Sequence, residues 1–347
     1  MYSDSELRAK IRAELPAEAF LKKPRRALVV IPLLGCIVVG SITLLRVPLP
    51  WYIAFIISLL IGNLYGSLIM LAHEIGHGAT VRSRQLQDMC LYCAGWIYCL
   101  SPHLWRIWHN QVHHPHPNIE GRDPDSSSSV EEFNRRTPMK RLFTKFAPGS
   151  GHGLSIIYLF VAFTFHVQAV LWIYSKRMPG FERLKRRRAV FESSCMALFW
   201  ILVCIVTGLK GTLFVVLIPM LAANFIIMSY IFTNHMLRPL TDTREVLNTT
   251  MSVTTNKFLD LIHFNFSYHV EHHLFPAMCS SYYPLVRQSL QHHAKGYYMA
   301  PPHWWALLVL FRVPRLYDNK HQAFIEPYSG RHVALTEVEV MLTEALS

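Results

Sequence analysis

Residues 47–77 read VPLPWYIAFIISLLIGNLYGSLIMLAHEIGH. The stretch Val47–Ala72 carries no charge and is long enough to cross a bilayer, which takes about 20 mainly apolar residues. It opens on a Pro-rich turn and runs directly into His73-Glu74-Ile75-Gly76-His77. A spacing of i, i+4 places both imidazoles on one helix face. Metal chemistry at a membrane surface is therefore expected. The pentad alone is ambiguous, because HExxH is also the zinc-protease pattern, with the Glu as general base.

Outward from this stretch, Ala27–Leu45, Ser193–Leu209 and Gly211–Asn234 are also uncharged and near membrane length. Gly153–Ser175 is apolar but carries His166 and Gln168 at its centre. Very short linkers join the first pair of stretches and the last pair, which predicts two helical hairpins. Four spans, at about 27–45, 47–72, 193–209 and 211–234, put the histidine-rich regions that follow the second and fourth on one side. A fifth would separate them. Gly153–Ser175 is accordingly read as an interfacial or re-entrant helix, since polar groups are costly at mid-bilayer. The segment before Ala27 has seven basic and four acidic residues, and Lys176–Arg188 has seven basic and one acidic. Both are expected on the cytoplasmic side.

Composition agrees. Charged residues make up 16% of the chain, against about 25% in soluble domains. Hydrophobic residues make up 52%, which excludes disorder and argues against an ordinary cytosolic globule. The net charge of +12 flanks apolar runs, which points to a membrane surface and not to nucleic acid. Lys185–Arg188 reads first as an anionic-lipid contact and second as a dock for an acidic electron carrier. The seven cysteines include one CxxC, Cys90 and Cys93, with no second to complete a zinc site. They read as small buried hydrophobes. No signal peptide is expected, because the mixed charges before Ala27 do not form an n-region. Trp304–Phe311 is too short to span, and Ser126–Ser129 reads as a loop.

Two more histidine clusters follow: His109-Asn110-Gln111-Val112-His113-His114 and His269-Val270-Glu271-His272-His273. Each gathers three imidazoles on one side of a helix. Isolated histidines such as His103, His152, His166, His292 and His293 read as ordinary core or surface residues. Eight clustered imidazoles exceed the needs of one zinc, which takes four ligands or three plus water. A pair of octahedral metals could use eight or nine. Imidazole suits Fe, Zn, Cu and Ni, and a nitrogen-rich pair with open positions suits oxygen activation by iron.

These residues resemble the membrane fatty-acyl desaturase/hydroxylase superfamily, whose mark is three histidine boxes. The boxes here are His73/His77, His109/His113/His114 and His269/His272/His273. Flanking text matches too: Trp108-His109-Asn110, Pro117-Asn118, Asp123-Pro124-Asp125 and Leu274-Phe275-Pro276. The second box has three residues between its first two histidines, one more than in many desaturases. The resemblance covers about residues 45–300. It implies a single domain over 1–347, all-α and integral to the membrane, with a cytoplasmic helical cap carrying the boxes. It implies two non-heme iron ions held by eight or nine histidines, with O2 as co-substrate. His235 fits the extra ligand position better than His263. Glu74, Asp123, Asn234, Asn265 and Glu271 are expected to support the centre, the acids by hydrogen bonds to ring N–H groups and Asn265 by holding a metal-bound water.

The implied reaction is attack on an unactivated C–H bond of a fatty-acyl chain. Loss of a second hydrogen gives a double bond, and oxygen rebound gives an alcohol. A desaturase is the leading reading. A terminal-alkene or alkyne former, or a fatty-acid decarboxylase yielding 1-alkenes, of a bacterial subgroup follows, then a chain hydroxylase. The substrate could be a free acid, a thioester or a phospholipid. No fused heme-binding domain is expected, so electrons would come from a separate ferredoxin or cytochrome. The protein is expected in a bacterial inner membrane, with both termini and the site cytoplasmic. Ala222 and Ala223 beside Pro219 read as helix packing before they read as a tunnel wall. A membrane zinc protease would leave six clustered histidines idle. A heme carrier would need histidines facing each other within spans, and a metal transporter would need them mid-membrane.

Overall fold

The computed structural model describes residues 2–135 and 144–344. Long apolar helices dominate. Val30–Arg46 ends on a cation, as a helix C-terminus favours. A connection of four residues, Val47 to Pro50, leads to Trp51–Gly76, and the two helices lie against each other. Trp51–Gly76 packs in turn against Ile218–His235. Glycine allows this contact. A Cβ on Gly62 would sit 2.6 Å from Ala222 Cβ and 2.7 Å from the Pro219 carbonyl oxygen. Ala222 is therefore a packing residue, as expected of small residues between membrane helices.

Four helices are long and apolar enough to cross a membrane: Pro24–Arg46, Trp51–Gly76, Ser155–Arg177 and Arg186–His235. The last is 50 residues of helix joined across a break. Gly208 has φ 64° and ψ −161°, a conformation that only glycine adopts readily. The stretches 193–209 and 211–234 are the two arms on either side of it. The outer surfaces of these helices are apolar and bare. Ile205, Val206 and Leu209 are 71%, 82% and 75% exposed, which in water would be an aggregation hazard.

Ser155–Arg177, which sequence reasoning set apart, meets the same length and composition test. Its polar residues have inward partners. Gln168 Nε2 reaches the Cys99 carbonyl at 3.5 Å, and His166 meets Asp125. Polarity there reflects an internal cavity.

Shorter helices gather at the end of the long ones that carries His73, His77 and His235. Arg84–Gly95 packs on Trp51–Gly76, and His303–Arg312 on Ile218–His235. Ser83 and Ser101 cap their helices through the amides of Leu86 and Leu104. The expectation of an all-α chain is corrected by one small sheet. Ser128–Ser129 pairs parallel with Leu316–Asp318, which pairs antiparallel with Ala323–Ile325 and, through it, His332–Ala334. The serine run expected as a loop is thus partly a strand. Its partner lies far along the chain, so no local pattern announces it.

Gly208→Ala is expected to destabilise the protein by roughly 1–3 kcal/mol, because the side chain meets no clash but the backbone conformation is strained. Gly35→Ala, also in open space but in regular helix, is expected to be neutral or stabilising by about 0.5–1 kcal/mol. Thermal melting in detergent, with both variants side by side, checks this.

Candidate metal centre

Box one sits at the end of Trp51–Gly76, with His77 as the capping residue. Box two lies on a π-helical turn, Trp108–His113, in which the His114 amide bonds to the His109 carbonyl at 3.1 Å. The i→i+5 bonding widens the turn, a feature common at functional sites. Box three forms the short helix His269–Leu274. It follows a tight turn in which Phe264 and Asn265 have φ of 53° and 56°. A left-handed pair that includes a bulky Phe is uncommon and fixes the approach of box three.

The three boxes converge. His73, His77, His109, His114 and His272 present ring nitrogens within 4.8 Å of one another, and so do His113, His235 and His273. His269 belongs with the second group: its Nε2 lies 2.7 Å from His235 Nε2 and 3.1 Å from His273 Nε2. In the first group, His109 Nε2 lies 2.7 Å from His73 Nε2 and 3.1 Å from His114 Nε2. His114 Nε2 and His272 Nε2 are 3.0 Å apart. All nine expected ligands are brought together. His263 is not among them: it faces Asn63 at 3.2 Å and the Tyr230 hydroxyl at 3.0 Å.

The donor set fits a pair of metal ions. Ring nitrogens bound at about 2.1 Å in mutually perpendicular positions would lie about 3 Å apart, close to the spacings seen. Among the described residues His77 Nε2 is buried without a protein partner, an orphan that a metal ion would satisfy. Burial pushes His77, His109, His114, His269, His272 and His273 well below the ordinary imidazole range, and neighbouring imidazoles add to it. Neutral rings are what a metal requires. No thiolate joins these groups, and imidazole suits iron as it suits zinc or copper.

His113 differs. Burial lowers it, but Asp123 and Asp125 outweigh burial and push it up to about 9. Burial raises the Asp123 carboxyl as well. His113 Nδ1 lies 3.0 Å from Asp123 Oδ1 and 3.3 Å from Asp125 Oδ2, which favours a proton on that edge and turns Nε2 toward the other rings. Asp123 also accepts from the Asn118 amide at 2.9 Å. The Asn118 side chain donates to the His235 carbonyl at 2.9 Å, so one loop braces ligands from two elements.

The other expected supports act differently. Glu74 touches no ring in the set. It pairs with Arg26 at 2.9 Å and accepts from the Ser280 hydroxyl at 2.6 Å. Glu271 accepts from Ser252 and Tyr298, each at 2.5 Å, and pairs with Arg287 at 3.0 Å. Both tie the backbone of a histidine helix to its neighbours. Asn265 donates to the Ser280 carbonyl at 2.8 Å, and the Asn234 side-chain amide is buried without a partner among the described residues.

Three supports went unassigned in the sequence. Asp125 accepts from Trp108 at 3.0 Å and from His166 at 2.6 Å; the Asp-Pro-Asp motif was the available signal. His166, read as ordinary, is thereby linked to His113. Tyr283 meets His272 Nδ1 at 3.2 Å, and nothing in the sequence marks it.

A cavity of about 570 Å³ opens beside the centre. His73, His109, His113, His235 and His269 form part of its wall, and aromatic and aliphatic residues such as Trp105, Phe163, Ile227 and Phe232 form much of the rest. Its outer side is Ser155–Ala169 and the π turn Val170–Tyr174, where Phe165 and Trp172 reach the surface.

Nine histidines converge, three of them at the ends of membrane-length helices and six on short helical segments, in clusters that could hold metal ions. The sequence profile described as Fatty acid desaturase matches residues 49–307, and the chain belongs to that family as an enzyme of the membrane desaturase type. It is similar to the sn-1 oleoyl-lipid 12-desaturase of Synechocystis sp., 24% identical over 322 residues, with 88% of each chain covered. It is similar to the Delta(8)-fatty-acid desaturase of Euglena gracilis, 25% identical over 285 residues, covering 74% of this chain and 66% of that one. The Delta(5) fatty acid desaturase fat-4 of Caenorhabditis elegans is 22% identical over 255 residues, covering 67% and 56%.

His235→Ala is expected to lower the metal content of the purified protein to about one ion per chain, while His263→Ala retains two. Asp123→Asn is expected to weaken metal retention by about 10–100-fold. Elemental mass spectrometry after graded chelation reads all three.

Proposed function

We propose that the protein introduces a double bond into a fatty-acyl chain, using O2 and two iron ions held by the nine histidines. The observation that carries this reading is the apolar cavity whose wall includes five of those histidines. A flexible hydrocarbon is the ligand such a wall would bind. Bound irons would supply the O2-dependent removal of hydrogen from an unactivated C–H bond. The chain's own residues hold the acyl segment against the ring cluster and keep bulk water out. Position along the chain then decides which carbon reacts, and small displacements change the product. Asp123 and Asp125 hold His113 in one orientation, and Asn118 holds the backbone of His235. The relatives are named as desaturases, which favours an internal double bond over an alcohol or a terminal alkene.

The long helices are placed as two hairpins in a bilayer, with the short helices as a cap and the cap with both termini in the cytoplasm of a bacterial cell. Ser155–Arg177 is placed at the interface. Its Tyr158 ring stacks on Phe232, close to His235, with centroids 5.9 Å apart. Near its other end, Ser175 accepts from Arg186 at 2.9 Å, where the next long helix starts. Both ends thus meet the histidine-side ends of the long helices, while Thr164 meets Asn224 deeper in, at 2.8 Å. A shallow dip into the bilayer fits these contacts. Electrons come from a separate carrier such as a ferredoxin or cytochrome.

Expression in a heterologous host with analysis of total acyl chains tests the reading. The wild type is expected to add an internal olefin, and His113→Ala or His272→Ala to abolish it without loss of membrane insertion. Near-normal activity in either variant would refute the two-iron site. A one-carbon-shorter 1-alkene, or an alcohol, would keep the site and change the product.

A further inference from the structure

Removal of two hydrogens from a chain supplies half the electrons that reduce O2 to two waters. Two electrons and two protons must come from elsewhere, and the electrons have to enter through the protein surface. The inference below rests on the function proposed above. It concerns where they enter.

Just after box three, Phe275, Pro276 and Ala277 form the apolar floor of a shallow depression of about 470 Å³. The charged residues in its lining are Arg8, Arg12 and Lys22, all cations. The acids of the same N-terminal segment are largely engaged. Asp4 accepts from the Val246 amide at 3.1 Å, Glu6 from the Ser3 amide at 2.8 Å, and Glu14 pairs with His293 at 2.6 Å. The segment before Ala27 holds seven cations against four acids, so the local field is positive. The depression is also close to the centre: Arg8 Nη2 donates to the carbonyl of His273 itself, at 3.4 Å. An apolar floor with a charged rim is the composition of a transient protein interface. The other basic run, Lys185–Arg188, is partly engaged. Arg188 is neutralised there by Glu192 at 2.6 Å, whereas ring contacts such as Arg12 over Phe20 at 4.4 Å and Arg186 over Trp172 at 5.4 Å leave the charge in place.

We propose that this depression docks a small acidic protein that carries one electron at a time. The carrier's acidic patch meets Arg8, Arg12 and Lys22. Each electron then passes through the segment bearing His272 and His273. Complementary charge of this kind governs the rate and orientation of encounter and is weakened by salt.

The test measures binding of two probes, a plant-type [2Fe–2S] ferredoxin and a soluble b-type cytochrome, to the full chain in detergent. Wild-type protein is expected to bind at least one of them, less tightly at high salt. The double variant Arg12→Glu/Lys22→Glu is expected to weaken that binding by about tenfold or more. Arg12→Gln/Lys22→Gln should fall between, and Arg187→Glu, a charge reversal elsewhere, should change it by less than about twofold. Turnover driven by the carrier should slow in parallel, while a single turnover, in which protein reduced beforehand with dithionite is freed of excess reductant and then exposed to O2, should not change. Failure of both probes to bind the wild type, survival of binding in the double Glu variant, or equal weakening by Arg187→Glu would overturn the proposal. Lack of olefin product in that single turnover would count against the proposed function instead, and the binding data would still decide the docking site.

Discussion

The structure depends on holding nine imidazoles together away from water. Seven of the rings bring a nitrogen to within 2.7–3.1 Å of a neighbour's nitrogen, and His77 and His113 join the same groups at longer range. Neutral rings can satisfy only some of these edges with each other, and a buried polar atom left over is costly. Cations at the centres of the two groups would satisfy the ring edges that face inward. Two long helices make the crowding possible, because Trp51–Gly76 and Ile218–His235 present His73, His77 and His235 from rigid ends. The short elements then close the shell from the other side.

Rigidity around the rings comes from buried charge. Arg26, Glu74 and Ser280 join the N-terminal segment to box one and to the loop after box three. Arg287, Glu271, Ser252 and Tyr298 fix the box-three helix. Removing one partner of such a buried pair typically costs about 3–5 kcal/mol, since the other is left unpaired. These acids lie beside histidines in the sequence but serve the backbone. Among the described residues, Asp123 and Asp125 are the acids that meet a ligand ring. The cavity shares this frame: His166, in its wall, is tied through Asp125 to His113.

Much of this was legible in the sequence, because the ligands follow helical spacing and the spans follow hydropathy. The convergence of the three boxes could be read that way, while the choice of His235 over His263 came from the family resemblance. The π turn of box two could not, since α and π turns both bring residues four and five apart to one side. The roles of Glu74 and Glu271 depend on Ser280 and Arg287, partners that no spacing rule reveals. The same is true of the strand at Ser128–Ser129, which exists through pairing with Leu316–Asp318. His166 was legible only as a polar residue in an apolar run. Its reason, a cavity with Asp125 behind it, is a tertiary fact.

Iron K-edge X-ray absorption on protein purified with ferrous iron, with the metal counted on the same sample, tests the central claim most directly. About two irons per chain is predicted. The first coordination shell should be nitrogen and oxygen only, with the outer-shell scattering of imidazole and no sulfur. A single zinc per chain with no iron, or a sulfur ligand on the metal, would contradict a two-iron centre built from histidines.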